Sequence, residues 1–268
     1  MSEPNLMKSA AAAPAAKPEG VWDTVKVVVQ VALIVLLVRT VLFQSFNIPS
    51  GSLTPTLLIG DYLFVSKFSY GYSHYSLPGF LDWAPRAMPG RLFYSPPRRG
   101  DIVVFRPPGE PDQDWIKRVV GLPGDKIQMK NARLYINGTP APREPAPPYR
   151  MEDGSHATVP TYYETLPDSE GKPGGVRHEI IQLDGDDGPG SNTGVFTVPP
   201  DHFFMMGDNR DNSEDSRFPE GPAGYVPAEN LVGRAEIIFF SLGDGTAAWQ
   251  VWRWPGAIRW SRLLTWVR

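Results

Sequence analysis

Residues 115–130 read Trp-Ile-Lys-Arg-Val-Val-Gly-Leu-Pro-Gly-Asp-Lys-Ile-Gln-Met-Lys. The segments Trp115–Val120 and Lys126–Lys130 are rich in residues that favour β strands. Between them, Leu122-Pro123-Gly124-Asp125 has proline and then glycine at the two central positions of a type II turn. The stretch therefore predicts two short strands joined by a tight reversal.

Similar β-prone segments recur along the chain, namely Tyr62–Phe68, Asp101–Phe105, Arg133–Ile136, Phe203–Met206 and Arg234–Phe240. Asn137-Gly138 is a second tight reversal. With 29 proline, 26 glycine and 41% hydrophobic residues, the composition is that of a loop-rich β protein. A length of 268 residues suits one sizeable domain with a membrane anchor. We therefore expect a mostly β domain.

The segment 140–200 differs from the rest of the chain. Proline, glycine and acidic residues are dense there, around two weak strand segments at Arg177–Leu183 and Val195–Val198. We expect a loop-rich β insertion on one side of the core. Its acidic run, Asp184–Gly194, has a glycine too early for an EF-hand loop and no closing glutamate. An acidic surface loop is therefore favoured over a calcium site.

Composition argues against several functions. The formal net charge of −3 comes without a basic stripe, so we expect no nucleic-acid partner. Because the chain has no cysteine, disulfides, thiol nucleophiles and thiolate metal sites are excluded. His178-Glu179 begins like the zinc motif of metalloproteases, but no second histidine completes it. We expect neither a metal nor an organic cofactor.

An apolar segment near the N-terminus predicts a membrane anchor. Residues 27–43 are almost entirely apolar, with Lys26 before them and Gln30 and Arg39 as interruptions. Because a transmembrane helix needs ~20 apolar residues, Lys26 and Arg39 must reach opposite headgroup layers. A buried amphipathic helix is the alternative, but the segment lacks a polar stripe. We expect an anchor over residues 21–45.

The flanking charges predict the direction of this anchor. Lysines precede it at positions 8, 17 and 26, whereas Thr40–Ser66 contains neither lysine nor arginine. A cleaved secretory signal is the alternative, but no Ala-x-Ala follows the apolar run. We expect a single retained span, with a disordered cytoplasmic tail at 1–20 and residues 46–268 outside the membrane. The tail at 249–268 is rich in tryptophan and arginine, which suits either contact with lipid headgroups or packing on the domain.

A stiff loop with several hydroxyl groups follows the anchor. Residues 46–57 read Phe-Asn-Ile-Pro-Ser-Gly-Ser-Leu-Thr-Pro-Thr-Leu, and the prolines and glycine prevent a regular helix or strand. Taken alone, this is an ordinary turn in which Ser52 is a candidate nucleophile. The chain has no Gly-x-Ser-x-Gly motif, and its histidines at 74, 156, 178 and 202 lie in no recognisable motif. A Ser-His-Asp triad is therefore not excluded, but no motif in the sequence supports it.

Lys117 is a candidate general base. On a strand, alternate residues share a face, so Lys117 lies beside Trp115 and Val119 while Arg118 points the other way. If the first face is buried, desolvation lowers the Lys117 pKa, by as much as ~3 to 5 units on full burial. A neutral amine near pH 7 accepts the proton of a serine hydroxyl. The alternative is a lysine whose ammonium group reaches water at the sheet edge.

A polar loop follows the strand segment at 203–206. Residues 207–217 read Gly-Asp-Asn-Arg-Asp-Asn-Ser-Glu-Asp-Ser-Arg. So many short polar side chains predict a loop held by Asx turns and by bonds between carboxylates and guanidinium groups. Such a loop either is purely structural or positions a buried lysine by hydrogen bonds.

Together, these segments resemble the bacterial type I signal peptidase (leader peptidase) family of Ser/Lys dyad serine proteases. The resemblance rests on Pro-Ser-Gly-Ser-x-x-Pro-Thr-Leu at 49–57, Lys-Arg-x-Val-Gly-Leu-Pro-Gly-Asp at 117–125 and the whole of 207–217, in that order behind an anchor. It implies a two-sheet β catalytic domain at the bacterial cytoplasmic membrane. It also implies exported preproteins as substrates, cleaved after small residues in Ala-x-Ala.

The resemblance further implies a role for each site residue. Ser52 is the nucleophile and Lys117 the general base, and the Ser50 hydroxyl forms the oxyanion hole with the Ser52 backbone N–H. The residues that orient the amine or stabilise the polar loop are Ser213, Asp215 and Arg217. The walls of the substrate pockets comprise Phe46, Ile48, Leu53, Leu57, Trp115 and Ile116.

The sequence departs from the family pattern at two of these positions. Leu53 stands where methionine is common, and Trp115 stands where tyrosine is frequent, which leaves the shape of the S1 pocket open. Two other functions remain. One is a peptidase of the same family with a dedicated substrate, and the other is a membrane-tethered binding domain without catalysis. The presence of both Ser52 and Lys117 argues against the second.

Overall fold

The computed structural model describes residues 20–76, 90–152, 157–243 and 245–267. The tail expected to be disordered lies outside the described residues, apart from Gly20. The chain divides into two units, Met1–Leu37 and Val38–Arg268. In the described part of the first unit the structure is helical, and the strands belong to the second unit.

The helix of the first unit, α1, comprises Val21–Leu37 and is followed along the chain by a π-helical turn at Val38–Leu42. The run Val21–Leu42 has 22 residues, and a stretch of 18 residues within it has a mean hydropathy of 2.4. A helix of that length extends about 30 Å, which matches the hydrocarbon core of a bilayer. Because no residue of α1 is buried, the buried amphipathic helix is not supported. The segment is long and apolar enough to cross a membrane.

The second unit is built from short strands and one further short helix, α2 (Trp254–Ala257). The strands are β1 (Phe43–Asn47), β2 (Asp61–Ser66), β3 (Ile102–Phe105), β4 (Trp115–Gly121), β5 (Lys126–Lys130), β6 (Arg133–Ile136), β7 (Thr139–Pro140), β8 (Arg143–Arg150), β9 (Thr158–Thr165), β10 (Arg177–Ile181), β11 (Phe196–Thr197), β12 (His202–Met206), β13 (Val226–Pro227), β14 (Leu231–Ser241) and β15 (Thr265–Trp266).

These strands form one large sheet and two small ones. The large sheet has the order β1-β2-β14-β3-β4-β12-β13, and β15 pairs with β14. A four-stranded sheet has the order β11-β5-β6-β7, and a three-stranded sheet has the order β10-β9-β8. The pairings within all three sheets are antiparallel. The predicted mostly β class is therefore confirmed.

Strand β4 brings the two adjacent cations into the middle of the large sheet. Lys117 pairs with Val103 of β3, and Arg118 pairs with Met206 at the end of β12. The polar residues 207–217 therefore begin directly beside β4. Because β1 and β2 are paired from Phe43 to Ser66, the loop that connects them projects from the same sheet.

The segment 140–200 contains more strand than its sequence suggests. The expected weak strands at 177–183 and 195–198 correspond to β10 and β11, but the eight-residue strands β8 and β9 were not expected. The reason is the run of prolines in β8, which reads Arg-Glu-Pro-Ala-Pro-Pro-Tyr-Arg. Because β8 lies at the edge of its sheet, proline there costs few ladder hydrogen bonds.

Candidate active site

The loop between β1 and β2, residues 48–60, presents Ser52 and is called the Ser52 loop below. Its two ends are closed by backbone bonds from Ile48 N to Asp61 O at 2.9 Å and from Gly60 N to Ile48 O at 3.0 Å. The two prolines within the loop limit its freedom further. Ser52 is buried, with 7% of its surface exposed. The loop therefore holds its hydroxyl at a defined position rather than in bulk water.

Lys117 lies against Ser52. Its Nζ donates a hydrogen bond of 2.8 Å to Ser52 Oγ, and only 5% of the lysine surface is exposed. The strand alternation inferred from the sequence is present, because Lys117 Nζ lies 5.2 Å from the centre of the Trp115 ring. The lysine therefore points into the protein and does not reach water at the sheet edge.

Burial changes the protonation of this amine. Desolvation lowers the Lys117 pKa from its ordinary 10.5 to about 8, and the nearby Asp215 and Glu214 carboxylates oppose that fall while Arg217 adds to it. Burial disfavours the charged form of a lysine because water no longer solvates the ammonium group. With this pKa, roughly a tenth of Lys117 is neutral at pH 7 and about half at pH ~8, and the neutral form is the one that a general base requires.

The neighbouring Arg118 is equally buried but has a different partner. Its Nε and Nη2 lie 2.8 and 2.7 Å from Oδ1 and Oδ2 of Asp208, a two-bond pairing. Among the salt bridges of the described residues, Lys117 has no counterpart to this pair. Of the two adjacent buried basic side chains, Arg118 thus pairs with a carboxylate, while Lys117 faces a serine hydroxyl.

Residues 207–217, called the polar loop below, bond to one another as the sequence suggested. Asp215 accepts hydrogen bonds from Ser213 Oγ at 2.8 Å, from the Gly207 N–H at 3.0 Å and from Arg217 Nε at 2.8 Å. Within the described part of the chain, the Ser213 hydroxyl bonds to Asp215 and not to the Lys117 amine. The orienting role of Ser213 therefore stays a prediction.

The polar loop also contacts the Ser52 loop directly. The Asn209 N–H donates to Ser52 O at 3.0 Å, and the Asn209 side chain donates to Gly51 O at 3.2 Å. Thr56 Oγ1 donates to Asp208 Oδ2 at 2.6 Å. These bonds fix the backbone on both sides of the Ser52 side chain.

Gly207, the first residue of the polar loop, packs directly against the Ser52 loop. We expect Gly207→Ala to displace Ser52 and to lower kcat/KM about 100-fold. A Cβ at this position would come within 2.3 Å of Ser213 Oγ and 2.5 Å of Ser52 O. The measurement is kcat/KM on a preprotein, the substrate that the resemblance in the sequence implies, at a temperature where both proteins are folded. Gly194→Ala is the matched control, because its Cβ would meet nothing within 4 Å. Wild-type activity in Gly207→Ala would show that this close packing does not govern Ser52.

Ser50 stands beside the nucleophile candidate, and its Oγ lies 3.5 Å from Ser52 Oγ. The Ser50 residue is exposed, in contrast to Ser52. Because the bonds from Asn209 hold the Gly51 and Ser52 carbonyl groups, the Ser52 backbone N–H has a fixed direction. The position of an oxyanion hole between Ser50 Oγ and the Ser52 N–H stays a prediction.

An apolar wall adjoins the Ser52 loop. Ile48, Leu53 and Leu57 are buried in one hydrophobic cluster, and Phe46 and Ile116 pack on it while partly exposed. Trp115 is also partly exposed and packs on a neighbouring cluster. The accessible surface of the expected substrate wall therefore comes from Phe46, Trp115 and Ile116, with the three buried residues supporting it from behind.

Two polar residues outside the polar loop contact it, and the sequence did not indicate either contact. Glu164 of β9 forms a two-bond ion pair with Arg210 of the polar loop. His178 Nε2 of β10 lies 3.6 Å from Glu164 Oε1 and 3.7 Å from Asp208 Oδ1. The insertion thus contacts the polar loop. A buried arginine demands a carboxylate partner, but no sequence motif indicates which one.

No histidine among the described residues forms a triad with Ser52. His156 lies outside the described residues. Burial, together with the Arg118 charge, lowers the His178 pKa to about 4, so this ring is neutral at neutral pH. In the described regions, the contacts of Ser52 and Lys117 include no histidine.

Comparison with known proteins identifies the family of the chain. A family model described as signal peptidase, peptidase S26, matches residues 21–240. The signal peptidase I of Rickettsia typhi is 44% identical over 211 residues, which cover 79% of this chain and 77% of the relative. The signal peptidase I of Rickettsia canadensis is 43% identical over 211 residues, which cover 79% of this chain and 77% of that relative. A signal peptidase I structure from Enterococcus faecalis is 25% identical and covers 52% of this chain and 97% of its own, but its TM-score of 0.30 is too low to define the fold.

Proposed function

This chain belongs to the signal peptidase family, peptidase S26, and we propose that it is a membrane-bound serine endopeptidase that removes signal peptides from exported preproteins. The observation that carries the proposal is the 2.8 Å hydrogen bond between Lys117 Nζ and Ser52 Oγ at a buried site. It joins a nucleophile to a base that forms no salt bridge among the described residues. That pairing is the requirement for an activated serine.

The proposed reaction proceeds through an acyl-enzyme. The neutral Lys117 amine takes the Ser52 hydroxyl proton while Ser52 Oγ attacks the carbonyl carbon of the scissile peptide bond. The resulting oxyanion accepts hydrogen bonds from the Ser52 N–H and the Ser50 hydroxyl, each such donor being worth about 3 kcal/mol. The Lys117 ammonium then gives its proton to the leaving amine. A water molecule, deprotonated by Lys117, then attacks the ester carbonyl, and the signal peptide leaves with a new C-terminal carboxylate while Ser52 Oγ takes a proton back from the Lys117 ammonium.

The protonation of Lys117 gives an expected pH dependence. Because only the neutral amine accepts a proton, kcat/KM should rise with pH through a midpoint at about 8. The Asp215 and Glu214 carboxylates raise the Lys117 pKa, so Asp215→Asn and the milder Glu214→Gln should both move the midpoint to lower pH. Asp187→Asn, at an exposed carboxylate, is the control. A midpoint that stays in place in Asp215→Asn would mean that another group titrates.

The apolar wall supports a preference for small side chains. Phe46, Trp115 and Ile116 supply bulky surface next to Ser52, and the residues behind them are already tightly packed. Such a wall leaves room for a methyl group rather than a long side chain. We therefore propose cleavage after Ala-x-Ala.

The apolar helix supports the proposed location. Lysines precede Val21–Leu42, so we propose one span of the bacterial cytoplasmic membrane with the N-terminus cytoplasmic and the peptidase unit outside. The Ser52 loop begins only a few residues after the helical run. A signal peptide in the same bilayer would therefore reach the site at high effective concentration.

The test is cleavage of a labelled preprotein by the detergent-solubilised full chain, compared with the same preprotein carrying a bulky residue at each Ala of its Ala-x-Ala site. The proposal expects one cut after the unmodified site and none in the substituted preprotein. Cleavage of one natural preprotein among many would favour the dedicated-substrate peptidase. A folded but inert protein that binds preproteins would favour the binding domain.

A further inference from the structure

The C-terminal segment, described here over residues 245–267, packs back onto the large sheet. The Arg259 N–H donates to Ser241 O at 3.1 Å at the end of β14, and the Val267 N–H donates to Glu236 O at 2.9 Å. Strand β15 pairs with β14 between these points. The family model matches only residues 21–240, so this segment lies beyond the matched part of the chain.

Arg262 of this segment reaches the Ser52 loop. Its Nε lies 3.0 Å from Asp61 Oδ1, and its Nη2 bonds to Asp61 Oδ2 at 2.5 Å and to the Thr56 carbonyl oxygen at 3.0 Å. The Asp61 side chain is fully buried, and the Arg262 side chain is 20% exposed. A two-bond arginine–carboxylate pair at such a site has a defined geometry.

Asp61 connects this pair to the rest of the loop. Its Oδ2 accepts the Leu58 N–H at 2.8 Å, and its Oδ1 accepts the Ser241 hydroxyl at 2.6 Å. A second arginine of the segment, Arg259, donates through Nη1 to Ile59 O at 2.9 Å. The second half of the Ser52 loop is therefore bonded at several points to the C-terminal segment and to β14.

Thr56 links these bonds to the site. Its carbonyl accepts from Arg262, while its hydroxyl donates to Asp208 of the polar loop at 2.6 Å. Between Ser52 and Thr56 the chain forms a tight turn, closed by a bond from the Leu57 N–H to Leu53 O at 3.0 Å. Because the chain between Ser52 and Thr56 is short and contains a proline, a displacement of Thr56 would also displace Ser52.

We propose that Arg262 is a positioning residue for the hydrolysis, which holds Asp61 and Thr56 so that Ser52 Oγ stays within hydrogen-bond distance of Lys117 Nζ. The inference rests on the proposed function of Ser52 and Lys117. It assigns Arg262, an arginine of the C-terminal segment, a role other than contact with lipid headgroups.

The test compares Arg262→Gln, Arg262→Lys and the control Arg253→Gln in the full chain, each assayed well below its Tm. Arg253 is an exposed arginine of the same segment, bonded to Gln250. We expect kcat to fall about 100-fold in Arg262→Gln, the cost typical of misplacing a catalytic group by about 1 Å. KM should change little, because Arg262 does not contact Phe46, Trp115 or Ile116 among its described bonds. Arg262→Lys should recover part of kcat, and Arg253→Gln should match wild type.

Hydrogen exchange supplies a readout that does not depend on activity. The Leu58 amide should exchange faster in Arg262→Gln than in wild type or Arg253→Gln, because its acceptor Asp61 loses its partner. A folded Arg262→Gln protein with wild-type kcat, or a loss confined to KM, would overturn the inference and leave the proposed function intact. A wild-type chain that cleaves no preprotein would instead refute the proposed function, and with it any catalytic meaning of Arg262.

Discussion

Ser52→Ala is expected to fold as the wild type does and to cleave a preprotein about 10⁶-fold more slowly, a loss of the size measured when a serine protease nucleophile is removed. Ser52 Oγ is the atom that Lys117 Nζ approaches to 2.8 Å. Without this oxygen no acyl-enzyme forms, and any remaining hydrolysis needs direct attack by water. The measurement is conversion of labelled preprotein over long incubations, with Tm recorded for each protein.

Ser45→Ala is the matched control, since Ser45 is an exposed serine on β1 a few residues before the Ser52 loop. It should keep wild-type activity and a wild-type Tm. The expectation for Ser52 fails if Ser52→Ala, at a Tm equal to that of wild type, still cleaves at a comparable rate. The nucleophile would then be another residue or a water molecule.

Lys117→Met is expected to lose activity by several orders of magnitude and, unlike most core substitutions, to become more stable near pH 7. Methionine fills a similar volume but cannot accept a proton. The folded protein lowers the Lys117 pKa from 10.5 to about 8. The folded-state pKa is below the unfolded one, so burial of the ammonium costs stability at every pH below about 8, by about 3 kcal/mol at roughly 1.4 kcal/mol per unit.

The pH dependence of the stability difference between wild type and Lys117→Met gives a second measurement. Wild type should gain stability relative to Lys117→Met as the pH rises from about 8 through 10.5, because only above 10.5 is the lysine neutral in both the folded and the unfolded chain. Lys130→Met is the control, because Lys130 is exposed on β5. If Lys117→Met has a Tm at pH 7 equal to or lower than that of wild type, and the two Tm values do not approach each other at high pH, then burial of the Lys117 ammonium does not destabilise the folded protein.

Much of the β architecture could be predicted from local sequence. Segments of β-favouring residues between turns marked β4, β5 and β6 correctly, because the positions of short strands between turns depend on short-range preferences. The sequence did not show that β4 and β5, which the turn at 122–125 connects, lie in different sheets. The alternation along β4 also predicted that Lys117 and Arg118 face opposite ways, and the structure has this arrangement. The pairing of Lys117 with Ser52 was implied only by the resemblance of three separated motifs, and the pairing of Arg118 with Asp208 was not predicted.

The contacts that hold the site were harder to predict because they join residues far apart in sequence. Glu164 lies on a strand that ordinary preferences missed, next to the proline-rich β8. Arg262 lies in a segment whose tryptophans suggested lipid, yet its guanidinium group bonds to Asp61, 201 residues earlier. A buried arginine signals that a carboxylate must be near, but only the folded chain selects which one.

The most direct test of the Ser/Lys mechanism is the mass of the enzyme during turnover of an activated ester of a peptide ending in Ala-x-Ala, quenched with acid. The ester accelerates acylation, so the covalent intermediate accumulates. We expect the proteolytic peptide that spans residues 40–67 to carry the acyl mass at Ser52, and this adduct to be absent from Ser52→Ala and from Lys117→Met near neutral pH. Turnover without an adduct on Ser52, or with the adduct on another residue, would contradict the mechanism.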